Sequence, residues 1–175
     1  MVKAATTPAP GAPPVRTAPP LKKTASAQSG SRNRSLVHYW IFGLEGRKDS
    51  ALFTPAALLK KIKAGLPVQE VEELRENLDL PMDRLSPLLG ISKATWHRRQ
   101  STGRLDTAES DRVARFARLL GRATVVMESL VHARRWLNSP QTGLGGEVPL
   151  AYADTEVGAR EVEDLLGRIE YGVYS

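Results

Sequence analysis

Apolar residues recur at helical spacing along most of the chain. Val68, Val71, Leu74 and Leu78 lie three, three and four residues apart, which places them on one face of an α-helix. Similar stripes return further along, and the strict alternation of a half-buried β-strand is missing from the sequence. The pattern therefore predicts an all-α fold.

Capping residues and prolines set the predicted helix boundaries. A short apolar element is expected from Leu36 to Phe42, and Thr54 before Pro55 predicts a helix that runs to Ala64 and stops at Gly65. Three further helices are predicted, one that opens at Pro67, one that runs from Pro81 to Leu89 and one that runs from Lys93 to about Gln100. Another is predicted from Ala108 to about Gly121 behind a Thr107 cap, and one more from Thr124 to Leu137. The last helix is predicted to follow a cap at Asp154 or Thr155.

Residues 81–101 carry the pattern of a helix-turn-helix. Gly90 is expected to end the first short helix in a left-handed conformation, Ile91 to enter the core, and Ser92 to cap the second helix. In this geometry the second helix enters the DNA major groove, and Trp96 is expected to pack inward. The predicted DNA-contacting residues are Ser92, Lys93, Thr95, Arg98, Arg99 and Arg104.

Charge divides the chain unevenly. Of a net charge of +6, residues 1–35 contribute six basic residues and no acid, and residues 81–122 carry nine basic and four acidic residues. Residues 123–175 carry four basic and eight acidic residues. This asymmetry indicates two different partners, one of them polyanionic, although each run could also be a solvated face. The same alternatives, phosphate contact or solvation, apply to Arg112, Arg115, Arg118 and Arg122.

Several classes of function find no support in the residues. The chain has no cysteine and three histidines, so neither a disulfide nor a metal site is expected, and the lack of cysteine fits a reducing cytoplasm without proving it. No apolar run reaches the length of a membrane span and no signal peptide is recognised. The glycines at 143–146 lack the lysine of a phosphate-binding loop, and no nucleophile–base pair is found. An enzyme is not predicted, nor is a cofactor.

Three segments are predicted. Residues 1–34 hold six of the twelve prolines and are expected to be a disordered basic tail. Residues 35–122 are expected to form a helical DNA-binding domain, and residues 123–175 a second, acidic helical domain.

The end of the chain is unusually apolar. A helix with its stripe at Val162, Leu165, Leu166 and Ile169 leads into a glycine, two tyrosines and a valine. Chain ends are usually polar, so this segment either folds back on its own core or enters a pocket of another protein. The residues alone leave both alternatives open.

The carboxy-terminal residues resemble the toxin-binding domain of Xre/MbcA/ParS antitoxins, and the middle of the chain is similar to the Xre-like DNA-binding domain of those proteins. The first match comprises Trp136 to Pro140, Leu144 to Gly146, Pro149-Leu150, Thr155, Gly158-Ala159, Val162 and Leu166 to Ser175. The second comprises Ser92 to Thr95, Arg98-Arg99, Gly103, Leu105 and Glu109 to Arg112. Gln141 departs from the family, which often has asparagine there, and Val126-Met127 replaces a frequent Phe-Gly.

The resemblance implies a cytoplasmic bacterial antitoxin that neutralises an NAD-consuming toxin with a RES domain and represses its own operon. It favours a tail that enters the toxin. The residues expected to bind the toxin are Arg168, Glu170, Tyr171, Gly172, Tyr174 and Ser175. The competing hypothesis is a helix-turn-helix repressor whose acidic domain only dimerises or senses a ligand. Operator symmetry favours a homodimer, with Leu36 to Phe42 and Val125-Val126 as candidate interfaces.

Overall fold

The computed structural model describes residues 35–43 and 54–173, and within these ranges the chain forms helices and no β-strand. The helices are α1 (Leu36–Phe42), α2 (Pro55–Lys63), α3 (Gln69–Leu78), α4 (Met82–Leu88), α5 (Lys93–Thr102), α6 (Thr107–Val126), α7 (Leu130–Leu137), α8 (Pro149–Tyr152) and α9 (Glu156–Glu170), with a 3₁₀ turn at Thr142–Leu144. The all-α prediction is confirmed. The predicted tail over residues 1–34 lies outside the described residues. None of the described helices is long and apolar enough to cross a bilayer.

Polar side chains begin most of these helices. Each of six capping side chains accepts a hydrogen bond from the backbone N–H three residues further on, and these residues are Ser35, Thr54, Ser92, Asp106, Ser129 and Thr155. Such caps satisfy N–H groups that have no partner within the helix. The predicted start of α2 at Pro55 and the cap of α9 at Thr155 are confirmed, whereas α3 begins at Gln69, two residues after Pro67.

The long helix α6 is the centre of the fold. It contacts α1, α2 and α3 on the amino-terminal side and α7 and α9 on the carboxy-terminal side. The predicted stripe of Val113, Phe116, Ala117 and Leu120 is fully buried. The helix-turn-helix half and the acidic half of the chain therefore share one core element.

Both predicted ends of α6 are wrong. Asp106, not Thr107, caps the helix, through a capping box in which Asp106 and Glu109 each bind the other's backbone N–H. At the other end, α6 continues through Gly121 to Val126. A side-chain Cβ at Gly121 would lie 2.0 Å from the carbonyl oxygen of Trp40. The glycine thus allows α1 to approach α6 closely instead of ending the helix.

The single helix predicted from Thr124 to Leu137 is also wrong. The chain leaves α6 at Val126, Glu128 takes a left-handed conformation with φ 54°, and Ser129 caps the new helix α7. This turn redirects the chain so that Ala133 and Leu137 are fully buried. The apolar spacing continued across the turn, and it therefore gave no sign of the break.

The apolar element at the start of the described chain is a core helix. Leu36, Val37 and Ile41 are almost fully buried, so they do not form an exposed dimer interface. Of the candidate interface residues, Phe42 and Val125 are partly exposed, by 42% and 38%. The amino-terminus of α1 is held by the carboxylate of Glu70 on α3.

Candidate DNA-binding and partner-binding surfaces

The turn between α4 and α5 has the geometry predicted for a helix-turn-helix. Gly90 is left-handed with φ 66°, and the N–H groups of Gly90 and Ile91 donate to the carbonyls of Pro87 and Ser86 at 2.9 and 2.8 Å. This pair of bonds is the Schellman motif, which ends a helix at a left-handed residue. Ile91 is 2% exposed, so the residue after the glycine anchors the turn in the core.

One face of α5 is open to solvent at its amino-terminal end. Ser92 and Lys93 are exposed and Thr95 is half-buried, while the Ser92 hydroxyl accepts from the Thr95 N–H at 3.1 Å. Arg98 is exposed one turn further on, and Trp96 is 8% exposed on the opposite face, as predicted. The side chains that could reach a DNA base are therefore those of the first turns of α5.

Arg99 lies in a different environment from Arg98. Its guanidinium lies 2.7 Å from the Asp106 carboxylate and 2.7 Å from the Glu109 carboxylate, the two acids of the capping box. The hydrogen bond with Glu109 raises the pKa of Arg99 above its ordinary value, against the opposing effect of burial. The predicted DNA-contacting side chain is thus engaged within the protein, where it joins α5 to the start of α6. We call α5 the recognition helix, because it is the helix predicted to enter the DNA major groove.

Arg104 is exposed beyond the end of α5. Its Nη1 donates to the carbonyls of Gly65 and Ala64 at 2.8 and 3.3 Å, at the end of α2. Because a guanidinium carries five N–H donors, this contact leaves others available to solvent. The structure therefore brings Arg104 next to α2 and away from the amino-terminal end of α5.

The acidic half of the chain packs its last helix against α6. Val162 and Leu166 are fully buried, as the predicted stripe requires, and Leu165 and Ile169 are partly buried. Leu165 also packs over Gly143, where the lack of a side chain on glycine leaves room for the leucine. The predicted turn at residues 143–146 is confirmed, with Gly145 and Gly146 both left-handed.

A row of arginines on α6 faces a row of acids on α9. Arg115 lies 3.3 Å from Glu156, Arg118 lies 2.7 Å from Glu163, and Arg122 pairs with Glu170. The two alternatives considered for these arginines were DNA phosphate and solvent, and the structure shows carboxylates instead. The sequence contains a pattern that indicates such a pairing, because Glu156, Glu163 and Glu170 are seven residues apart and therefore share one face of the helix.

A second Schellman motif lies at the end of α9, where the carboxy-terminal tail (residues 171–175) begins. The N–H groups of Gly172 and Val173 donate to the carbonyls of Ile169 and Arg168 at 3.2 and 2.9 Å, and Gly172 is left-handed with φ 66°. Tyr171 is 77% exposed and Val173 is 53% exposed. Up to Val173 the tail does not fold back on its own core.

The remaining predicted toxin-binding residues differ in their surroundings. Arg168 is exposed, whereas Glu170 is occupied by its pair with Arg122. Tyr174 and Ser175 lie outside the described residues. Within the described ranges, no cluster of three or more His, Cys, Asp or Glu side chains could hold a metal ion.

The chain combines a helix-turn-helix with a second helical domain that ends in exposed apolar residues, and a family model matches each of the two parts. Residues 57–118 match the family model of the antitoxin Xre-like helix-turn-helix domain. Residues 122–172 match the antitoxin Xre/MbcA/ParS C-terminal toxin-binding domain. The chain thus has the domain arrangement of an antitoxin, with a DNA-binding module and a toxin-binding module.

Similar proteins support the same family assignment. The chain is 35% identical over 120 residues to antitoxin Xre of Yersinia enterocolitica, covering 67% of this chain and 81% of that protein. It is 34% identical over 116 residues to antitoxin Xre of Photorhabdus laumondii, covering 65% and 78%. A shorter match, 34% over 68 residues, joins it to antitoxin Xre of Pseudomonas putida, covering 39% and 43%. The chain belongs to the Xre antitoxin family.

Proposed function

We propose that this antitoxin neutralises an NAD-consuming toxin of the RES-domain class by inserting its carboxy-terminal tail into the toxin's active site. It would act in the cytoplasm, where a helix-turn-helix protein meets DNA. The toxin-contacting residues would be Arg168, Tyr171, Gly172, Tyr174 and Ser175, with Glu170 at the point where the tail leaves the protein. The competing hypothesis, a repressor whose second domain only dimerises or senses a ligand, lacks a role for a toxin-binding domain.

The proposal rests on a difference in burial between the apolar residues that follow the two Schellman motifs. Both helices end at a left-handed glycine with the same pair of backbone bonds. The apolar residue after the first glycine, Ile91, is 2% exposed, whereas the corresponding Val173 is 53% exposed beside a Tyr171 that is 77% exposed. A hydrophobic contact usually accompanies this motif, and in the tail the protein itself does not supply a full one. A partner pocket would complete it.

The chemistry of the tail suits a pocket that binds a dinucleotide. Tyrosine rings offer flat surfaces that can stack where a base or nicotinamide ring would lie. Gly172 takes a left-handed conformation after α9, which ends the helix and turns the chain before Val173. The tail would thereby exclude NAD without any covalent chemistry.

A truncation tests the tail directly. Removing residues 171–175 retains Glu170 and its pair with Arg122, so the unfolding temperature should remain close to that of the full chain. Cells that co-express the toxin with the truncated chain should stop growing and lose NAD, while the full chain protects them. A Leu59→Ala variant, which trims an exposed apolar residue of α2, serves as the control and should protect fully.

The possible results separate the parts of the proposal. Full protection by the folded, truncated chain would exclude the tail as the inhibitory element. Growth arrest with unchanged NAD would exclude an NAD-consuming toxin but leave the tail's role intact.

For the other module we propose that a homodimer binds operator DNA and represses the antitoxin's own operon. Ser92, Lys93, Thr95 and Arg98 would face the major groove, since they lie exposed or half-buried at the amino-terminal end of α5. Arg99 would act by holding α5 against α6. The test is a mobility-shift titration of the DNA upstream of the gene against a random duplex, with stoichiometry measured by light scattering. Equal affinity for both duplexes would refute operator recognition, and binding as a monomer would refute the homodimer.

A further inference from the structure

The end of α2 and the loop after the recognition helix are joined by backbone hydrogen bonds. Leu105 N–H donates to the Leu66 carbonyl at 2.9 Å, and Val68 N–H donates to the Gly103 carbonyl at 3.2 Å. Pro67 and Arg104 form the antiparallel bridge between these bonds. The carboxy-terminal ends of α2 and α5 are therefore fixed at the same edge of the protein.

Side chains reinforce this junction. Arg104 donates to the carbonyls of Ala64 and Gly65, which directly follow α2, and the hydroxyl of Thr107, the first residue of α6, donates to the Lys63 carbonyl at 3.3 Å. The position of α2 relative to the recognition helix thus depends on bonds made by the segments that follow the two helices and by the start of α6.

The same edge carries a concentration of positive charge. The last turn of α2 contains Lys60, Lys61 and Lys63, of which Lys60 and Lys63 are exposed, and Arg104 is exposed beside them. Within the described ranges, neither Lys60 nor Lys63 has a carboxylate oxygen within 4.0 Å, whereas Arg115, Arg118 and Arg122 of α6 all do. We call Lys60, Lys63 and Arg104 the basic corner.

The dimensions of the recognition helix place this corner near a DNA backbone. A helix of ten residues is about 15 Å long, and the major groove is about 12 Å wide. With the amino-terminal turns of α5 over the bases and the helix running across the groove, its other end would extend towards the phosphates that border the groove. The basic corner follows directly from that end.

We propose that Lys60, Lys63 and Arg104 form a sequence-independent DNA contact that grips phosphates beside the recognition helix. The proposal rests on the proposed DNA binding by the helix-turn-helix and adds α2 to its contact surface. Exposed ammonium groups hold phosphate as point charges, and the guanidinium of Arg104 has free donors for the same purpose. The corner would set affinity and register, while α5 selects the sequence.

The salt dependence of binding tests the corner. Each phosphate neutralised by a cation contributes about −0.9 to the slope of log affinity against log salt concentration. The double variant Lys60→Ala/Lys63→Ala should therefore flatten this slope by roughly 1.8 for each bound protomer, which is about 3.6 for the proposed homodimer. Fluorescence anisotropy of the full chain with two labelled duplexes, the DNA upstream of the gene and a random sequence of equal length, measures the slope. Affinity should fall by the same factor on both.

A charge-matched control accompanies this variant. Arg135→Ala/Arg160→Ala removes the same charge from exposed residues within residues 122–172, which match the toxin-binding domain. This control should leave the slope unchanged. Thermal unfolding of both double variants confirms that each is folded.

Each result has a distinct meaning. An unchanged slope in the folded Lys60/Lys63 variant, or an equal flattening in the control, would overturn the basic corner. A flattened slope without any preference of the wild type for the upstream DNA would support the corner and refute operator recognition. Absence of binding to either duplex would refute both proposals.

Discussion

Arg122, near the end of α6, is ion-paired with Glu170, the last residue of α9. The pair joins the helix that organises the core to the residue immediately before the exposed tail. About a third of each side chain is exposed, 37% for Arg122 and 32% for Glu170. Because such pairs add at most about 1 kcal/mol to stability, we expect this one to matter more for the direction in which the tail leaves the protein.

Charge reversal at Arg122 should separate tail position from stability. Arg122→Glu places two acids together and should release the last turn of α9, lowering neutralisation of the toxin, with about 1 kcal/mol or less lost from the free energy of unfolding. Arg118→Glu breaks the neighbouring pair with Glu163, remote from the tail, and should leave neutralisation intact. Growth under toxin induction and chemical denaturation are the two measurements.

The double variant Arg122→Glu/Glu170→Arg completes this comparison. It recreates the pair with opposite polarity and should restore neutralisation. Equal loss of neutralisation from Arg122→Glu and Arg118→Glu would contradict a special role for the Arg122–Glu170 pair. Failure of the double variant to restore neutralisation would indicate that Glu170 itself contacts the toxin.

The adjacent residues Arg98 and Arg99 should behave differently. Arg98→Ala should change stability by less than about 0.5 kcal/mol because the side chain is exposed, yet it should weaken DNA binding. Arg99→Ala leaves the buried Glu109 without its cation and should lower stability by about 1–3 kcal/mol. Urea denaturation and DNA titration distinguish them, and similar stabilities for the two variants would show that the Arg99 pairs contribute nothing to the fold.

Two helical glycines should respond oppositely to alanine. At Gly121 the new Cβ would lie 2.0 Å from the Trp40 carbonyl oxygen, so Gly121→Ala should cost about 1–3 kcal/mol as α1 is displaced. At Gly167 the new Cβ would have no heavy atom of the described residues within 4 Å apart from its chain neighbours and its own helix backbone, so Gly167→Ala should stabilise the protein by about 0.5–1 kcal/mol through helix propensity. Thermal unfolding checks both, and a stabilised Gly121→Ala would mean that α1 does not pack as described.

A buried carboxylate should be important for the placement of α1. Glu70 accepts from the N–H groups of Leu36 and Val37 at 2.9 and 3.0 Å and from the Ser35 hydroxyl at 3.1 Å. Glu70→Ala leaves these buried donors unsatisfied and should lower stability by about 2–4 kcal/mol. Glu72→Ala, which removes the half-exposed partner of Arg75, should cost less than about 1 kcal/mol.

Denaturation curves of the two glutamate variants measure the difference. If Glu70→Ala were no more destabilised than Glu72→Ala, the α1 amino-terminus would not depend on this acceptor.

Local signals explain what could be predicted from the sequence. Thr54, Ser92 and Thr155 act on N–H groups three residues away, so their capping roles can be read without knowledge of the fold. The stripes that place Val113 and Val162 in the core are equally local. The helix-turn-helix was predictable because its glycine, its buried isoleucine and its cap lie within three residues of sequence.

Contacts between distant residues explain what could not. Gly121 has the appearance of a helix terminator until the backbone of Trp40, some eighty residues earlier in the sequence, is known to lie against it. Arg99 resembles its neighbour Arg98 in sequence and differs only because Asp106 and Glu109 turn back towards it. The exposure of Val173 likewise depends on how the other described helices pack around the end of α9, which no local pattern encodes.

The continuity of α6 constrains how new antitoxins can arise by recombination. A crossover at the boundary between the two family matches would cut within a helix whose residues Leu119, Leu120 and Ala123 are all fully buried. Such a hybrid would combine half of one parent's core helix with surfaces shaped for the other. Exchange of operator specificity between relatives should therefore succeed most readily before Asp106, with α6 and everything after it inherited as one unit.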